Sequence, residues 1–201
     1  MKRPTQKRGK ETFGRILAAA ASVLAAEGIR GLNTNRIAEV AAVTPPTVYR
    51  YFDDKVDILV GLAEEFVAQE QLWLQSAQET LGASFTPAQW VEAMVSGYWD
   101  HAQRFTGLPE LRQAMKTYDA LAPVEEQSLK LSAQRTSAVL AVRFGLSNAA
   151  AARVARFVIE TTCSTVDRSY ALPTAEARVR LRELKKMLSL YLEGCAADAS
   201  R

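Results

Sequence analysis

The stretch TPPTVYRYFDDK, residues 44 to 55, decides the fold. Thr44 suits an N-cap and Pro45 suits the first helical position, where its missing N–H costs nothing. Val48 and Phe52 then stand four residues apart and give a short helix one apolar side. That side must face inward, which leaves Pro45, Pro46, Thr47 and Tyr49 on the exposed, N-terminal part of a helix about two turns long. Asp54 suits the N-cap of the next helix, with Asp57 at N3 in a carboxylate variant of the capping box. Ile58, Leu59, Leu62, Phe66 and Trp73 carry that helix's apolar stripe onward.

Working outward, Phe13, Ile16, Leu17, Ala20 and Leu24 recur at helical steps and predict a first helix ending near Gly28. A second helix begins after Asn33 or Thr34, with Ile37, Val40 and Ala41 on one side. Two short helices joined by three or four residues and packed under a longer one make a helix-turn-helix. In such a motif the N-terminal part of the last helix meets base edges in the major groove. Prolines 45 and 46 offer flat apolar surface to thymine methyls, and Thr47 and Tyr49 offer hydroxyls to phosphates or bases. Lys55 is placed for a phosphate. Singly, each of these residues reads equally well as turn or packing, and it is their joint spacing that points to DNA.

Composition fits this reading. Residues 1 to 60 carry ten Lys/Arg against six Asp/Glu, whereas residues 61 to 201 carry fifteen against sixteen. Lys2, Arg3, Lys7, Arg8 and Lys10 form an acid-free run, either a nucleic-acid-binding arm or a solubilising tail. No apolar run approaches the roughly 20 residues that cross a bilayer, so the expected location is the cytoplasm, with no membrane partner. Cys163 and Cys195 lack metal-like spacing and read as thiols. The chain offers one histidine and no Cys-x-x-Cys, His-Glu-x-x-His or Gly-x-Gly-x-x-Gly pattern, so no catalytic set, metal site or cofactor is expected.

The run GIRGLNTNRIAEVAAVTPPTVYRYFDDKVDIL, with the long helix before it, resembles the N-terminal domain of TetR-family transcriptional regulators. The resemblance covers roughly the first third of the chain, and its Tyr-x-Tyr-Phe-x-x-Lys end is specific. It implies that Thr34 and Asn35 start the supporting helix near the DNA backbone. It also implies that Thr44, Pro45, Pro46, Thr47 and Tyr49 form the reading surface, and that Tyr51 and Lys55 clamp phosphates. Two departures stand out: Ala42 occupies a position where many relatives have glycine, and Pro45 one where relatives carry a hydrogen-bonding or small residue. The implied fold is all-α, with a DNA-binding domain over 1–56 and a larger helical ligand-binding and dimerisation domain over 57–201. The implied partners are a palindromic double-stranded operator, a small-molecule effector and a second copy of the chain.

Capping signals divide the remainder. Thr86-Pro87-Ala88-Gln89 is a capping box, Pro109 and Pro123 suit helix starts, Gly145 with Ser147 suits a break, and Pro173-Thr174 another; six further helices are expected over this region. Near the C-terminus Leu181, Leu184, Met187, Leu188, Leu190, Tyr191 and Leu192 wrap more than one face of a helix. Such a helix needs two neighbours. With the preceding helix it suggests a four-helix dimer bundle using Phe157, Thr161, Leu184, Leu188 and Tyr191; burial within one subunit is the alternative. Trp90, Met94, Tyr98 and Trp99 on one helix, with Phe105, Met115 and Tyr118 following, could line a cavity for a flat, largely apolar effector or form ordinary core. His101, beside Asp100, reads as a solvent-facing residue or a polar handle, and Cys163 as a buried thiol or an oxidant sensor. Two further readings stay open: a DNA-binding regulator answering to a partner protein or redox signal, and a helical scaffold that binds no DNA.

Overall fold

The structure is a computed structural model that describes residues 1–82 and 84–199. Among the described residues it is all-α, with no strand. In chain order the helices are α1 (Lys7–Gly31), α2 (Thr34–Val40), α3 (Pro45–Tyr49), α4 (Lys55–Thr80), α5 (Pro87–Arg104), α6 (Leu108–Thr117), α7 (Ala122–Phe144), α8 (Asn148–Ser169) and α9 (Thr174–Ala199). Five α-helices follow α4 among the described residues where six were expected, with a single 3₁₀ turn over Asp119–Leu121 between α6 and α7. The chain forms two compact units: Met1–Ala68 with Gln103–Glu125, and Gln69–Ala102 with Glu126–Arg201.

Most element boundaries follow from local chemistry. Asn33 Oδ1 accepts the backbone N–H of Arg36 at 2.9 Å and opens α2. Asp54 Oδ1 accepts the N–H groups of Val56 and Asp57 at 2.7 and 2.9 Å and opens α4. The Asp57 carboxylate reaches back to the N–H of Asp53, one residue earlier than a capping box requires. At the start of α5, Thr86 and Gln89 exchange both bonds of the box at 3.2 and 2.9 Å. Thr44 has the extended backbone of an N-cap, but its hydroxyl bonds the Thr47 hydroxyl at 3.0 Å instead of a backbone N–H.

Within the first unit, α1 packs on α2 and α6, and α2 packs on α3. Ala19, Ala20 and Ala21 of α1 are buried, and small side chains let a neighbouring backbone come close. Gly107, which opens α6 with φ +76°, illustrates how close: a Cβ there would stand 2.9 Å from the Ala21 carbonyl oxygen. The same alanines raise the apolar content of α1. It is the one helix among the described residues long and apolar enough to cross a bilayer, 25 residues with an 18-residue stretch of mean hydropathy 1.3. This corrects the expectation that no stretch approaches that length. In the fold, Phe13, Ile16, Leu17 and Leu24 of α1 are core residues. Gly28, at φ +66°, breaks the regular helix where its C-terminus was expected.

In the second unit α8 packs on α9, and α7 turns an unusual face inward. Its buried residues are Ser128, Ser132, Thr136, Leu140 and Phe144, three hydroxyls followed by two apolar groups at four-residue steps. Ser128 donates to the buried Glu70 carboxylate at 2.6 Å, and Gln71 donates to the Ser132 hydroxyl at 2.8 Å. A polar seam therefore joins α7 to the later part of α4.

Ala42, in the turn between α2 and α3, has φ +50° and is the one non-glycine residue in the left-handed region among those described. That conformation costs an L-residue about 1–2 kcal/mol, while glycine adds about 0.4–1 kcal/mol of unfolded-state entropy to be lost. Ala42→Gly is therefore expected to stabilise the protein by roughly 0.5–1 kcal/mol. The check is a urea unfolding curve whose midpoint rises at unchanged slope; a lower midpoint contradicts the strain.

Candidate nucleic-acid interface and ligand cavity

The first site is the outer surface of α2 and α3. Val48 and Phe52 are fully buried, and Phe52 stacks on Phe13 with ring centroids 4.9 Å apart. This turns Pro46, Thr44 and Tyr49 to the surface, with Pro45 and Thr47 partly exposed. Tyr49 is 50% exposed, and its hydroxyl lies 2.9 Å from the hydroxyl of Thr34 at the start of α2. Thr34 and Tyr49, fifteen residues apart in sequence, thus share one exposed edge, with Asn35 exposed beside Thr34.

Tyr51 departs from the arrangement expected of it. Its ring is 6% exposed and packs edge-on against Phe13 at 5.8 Å. Only its hydroxyl is available for a polar contact, and that oxygen accepts a hydrogen bond from Arg50 Nη2 at 2.9 Å. Arg50 also lies over the Tyr51 ring, 4.8 Å from its centroid. Lys55 is exposed, with its ammonium 5.8 Å from the ring centroid of Tyr118.

A cleft missed in the sequence lies beside this surface. Its walls include Arg8, Thr12 and Arg15 from α1, and Thr44, Thr47, Arg50 and Tyr51 from the region of α3. Three guanidinium-bearing residues and several hydroxyls line it, and no Asp or Glu does. The signal was weak because Arg15 and Arg50 lie outside the basic N-terminal run and belong to different parts of the fold. That run is itself divided: Lys2 lies 3.6 Å from Asp53 and Arg3 pairs with Glu64, whereas Lys7, Arg8 and Lys10 are exposed on the first turns of α1.

The second site is a cavity inside the second unit. Leu74, Val91, Val95, Val158, Ile159 and Leu188 supply aliphatic wall. Trp73, Trp90, Met94 and Tyr98 add aromatic and thioether surface, and Glu70, Ser132, Thr162 and Cys163 add polar groups. With its mouth the cavity holds about 460 Å³ of unfilled space, narrow enough that little of it admits a water molecule. Of the seven residues expected to line a cavity, Trp90, Met94 and Tyr98 do so. Trp99 instead stacks on Tyr170 at 5.0 Å.

Phe105, Met115 and Tyr118 belong to the first unit. Phe105 there packs edge-on against Phe66, and Met115 accepts a weak bond from Arg112. His101 is partly buried and stacked on Trp73, with centroids 5.8 Å apart. Neither Cys163 nor Cys195 is in a disulfide. Among the described residues no group of three or more His, Cys, Asp or Glu side chains could hold a metal.

The third surface is the outer side of α8 and α9. Leu184 and Leu188 are 4% and 1% exposed, buried inside the subunit, and Leu188 serves as cavity wall. The apolar groups turned outward are Phe157, Val179, Met187, Leu190 and Tyr191, with Thr161 partly buried on α8. Phe157 and Tyr191 meet edge-on at 5.3 Å. Burial, with a smaller contribution from Cys195, holds the Tyr191 phenol above its ordinary pKa, so the ring stays neutral.

Gly97 of α5 explains how the cavity's indole wall is seated. A Cβ there would stand 2.8 Å from the Trp73 ring, so the glycine, otherwise a poor residue in mid-helix, makes room for it. Gly97→Ala is expected to lose about 1–3 kcal/mol to overpacking despite a gain in helix propensity of up to about 1 kcal/mol. Thermal denaturation reads the loss; a more stable variant would show that Trp73 is free to move.

Comparison with known proteins bears on these surfaces. Residues 16–62 match the profile of the family described as bacterial regulatory proteins, tetR family. The chain is 30% identical over 114 residues to the fatty acid metabolism regulator protein of Bacillus subtilis, across 54% of this chain and 56% of that one. It is 36% identical over 87 residues to the HTH-type transcriptional regulator TtgW of Pseudomonas putida, across 43% and 57%. The matches thus span little more than half the length of these curated relatives. The fold is shared more widely: the crystal structure of a transcriptional regulator from Rhodococcus sp. Rha1 superposes with a TM-score of 0.67 at 20% identity, covering 91% of this chain and 97% of that one.

Proposed function

We propose, from the match of residues 16–62 to the profile of bacterial regulatory proteins, tetR family, that the chain is a cytoplasmic transcriptional repressor of that family. It binds a palindromic operator as a homodimer and leaves it when a small, largely apolar effector enters the cavity of the second unit. The observation that carries the DNA reading is the hydroxyl pair of Thr34 and Tyr49 beside an acid-free cleft bearing Arg8, Arg15 and Arg50.

In this reading Pro45, Pro46 and Thr47, with Thr44 just before them, meet base edges in the major groove. Thr34, Asn35, Tyr49 and Lys55 meet phosphates on one side, and the arginine cleft takes a phosphate on the other. Tyr51 acts at one remove by holding Arg50. Two such surfaces in a dimer read half-sites about 34–36 Å apart or a multiple of it. An effector that binds better to a conformation with another spacing then lowers DNA affinity by the coupling between the two sites. The cavity's aliphatic and aromatic walls support an apolar effector. The relative in Bacillus subtilis is a regulator of fatty acid metabolism, a chemistry of largely apolar chains, and that agrees with such walls.

Arg50→Ala is expected to weaken binding to every sequence alike and to reduce the slope of log affinity against log salt by about 1. Tyr49→Phe, which also breaks the bond to Thr34, is expected to weaken it by about 5-fold, the worth of roughly one hydrogen bond. Fluorescence-anisotropy titrations at several salt concentrations read both. Unchanged affinity in both variants would remove this surface from the interface.

The dimer is assigned to the outward faces of α8 and α9, where Phe157, Met187, Leu190 and Tyr191 leave apolar surface that a second copy would cover. Because Leu190 is 61% exposed in the subunit, Leu190→Glu should leave the fold intact. A charge buried there without a partner in the dimer costs several kcal/mol. Sedimentation of this variant is expected to give one subunit's mass with unchanged helical signal. A folded dimer would move the interface elsewhere.

A further inference from the structure

We propose that the effector is an uncharged, largely apolar molecule carrying a hydrogen-bond acceptor, of the carbonyl, ester or ether class, which it presents to the indole N–H of Trp90. The inference rests on the reading of the cavity as the effector site. Trp90 is 1% exposed, lines the cavity, and its Nε1 is a buried donor with no hydrogen-bond partner. Buried indole N–H groups nearly always have an acceptor, because one left without is desolvated and uncompensated. Trp90 lines the cavity together with Val91, Met94 and Val158, in a wall that is largely apolar and offers its N–H little to pair with. A molecule in the cavity that brings an acceptor would complete the indole and cover the apolar walls together.

Charge narrows the class. No lysine, arginine or histidine lines the cavity. Its one ionisable carboxyl side chain, Glu70, is 4% exposed and accepts a bond from Ser128. An acid entering as its carboxylate would surrender its hydration and meet no cation in the wall, only a second carboxyl group. A neutral ketone, ester or ether brings the same acceptor oxygen without that cost.

The test uses three probes of matched length, 2-nonanone, octanoate and nonane, titrated into the full-length protein and read by tryptophan emission and thermal shift. The ketone is expected to bind at least about 10-fold more tightly than octanoate, for want of a counter-ion. It should bind about 5-fold more tightly than nonane, for the one hydrogen bond. Trp90→Phe is expected to close the gap between ketone and alkane, and so is an isosteric benzothiophene at the same position, which keeps the ring shape and lacks the N–H. Val158→Trp, which fills the cavity, should abolish binding of all three.

Octanoate binding as tightly as the ketone overturns the ligand class. A gap between ketone and alkane that survives both changes at Trp90 overturns the role of that indole. Binding that persists in Val158→Trp, or the absence of binding by all three probes to the folded parent, overturns the cavity as the effector site.

Discussion

The stack of Phe52 on Phe13 is the contact on which the first unit's surface depends. With centroids 4.9 Å apart and the planes 23° from parallel, it ties the end of the helix-turn-helix to α1. Tyr51 closes on the same ring from the edge. A helix of only five residues has no stability of its own, since nucleation is unfavourable and propagation has no room to compensate. The orientation of α3 is therefore imposed by Val48 and Phe52 going inward. Everything the helix shows to solvent is what remains, and in this sequence the remainder is two prolines, hydroxyls and Tyr49. The prolines assist by starting the helix without an unsatisfied N–H, at the cost of presenting no donor themselves.

The interface is assembled from residues that are distant in sequence and weakly informative alone. Thr34 and Tyr49 become a pair only because α2 packs on α3. Arg8, Arg15 and Arg50 become a cleft only because the start of α1 runs beside Thr44 and α3. Two of the five cations of the N-terminal run are drawn to Asp53 and Glu64, so the positive field comes from the helical frame as much as from the arm. Charges fixed on helices keep their spacing when DNA approaches, and less conformational entropy is lost on binding than with a free tail.

How far the sequence could be read follows from the range of the interactions involved. Caps, proline starts and the apolar faces of α1 to α4 are local, acting over four residues or fewer, and Asn33, Asp54, Thr86 and Ser147 all cap the helices they precede. What could not be read depends on which helix meets which. Leu188 has the spacing of an interface residue, yet it faces the cavity, because α9 has apolar groups on two sides and periodicity does not say which side is turned inward. Phe105, Met115 and Tyr118 follow the aromatic cluster closely in sequence, yet they belong with α1 and α6, because the chain crosses between units at residues 102 and 103. Gly97 carries no local signal of its role, and only tertiary packing reveals it as a seat for Trp73.

The buried face of α7 bears on how a ligand's presence can be felt. Apolar contacts tolerate sliding, since one methyl group replaces another at little cost, whereas a hydrogen bond inside a core fixes register because its loss leaves a desolvated group. Ser128 with Glu70, and Ser132 with Gln71, place two such bonds one turn apart along α7 and on adjacent residues of α4. Both Glu70 and Ser132 also line the cavity, so molecules entering it meet the groups that set the register of these helices. A ligand shifts a conformational equilibrium only by its differential affinity for the two states. An apolar wall that repacks smoothly gives little difference, but a hydroxyl and a carboxylate that must keep their partners give a discrete one. On the proposal that an effector enters this cavity, the polar seam is where its occupancy would be converted into a change of helix register.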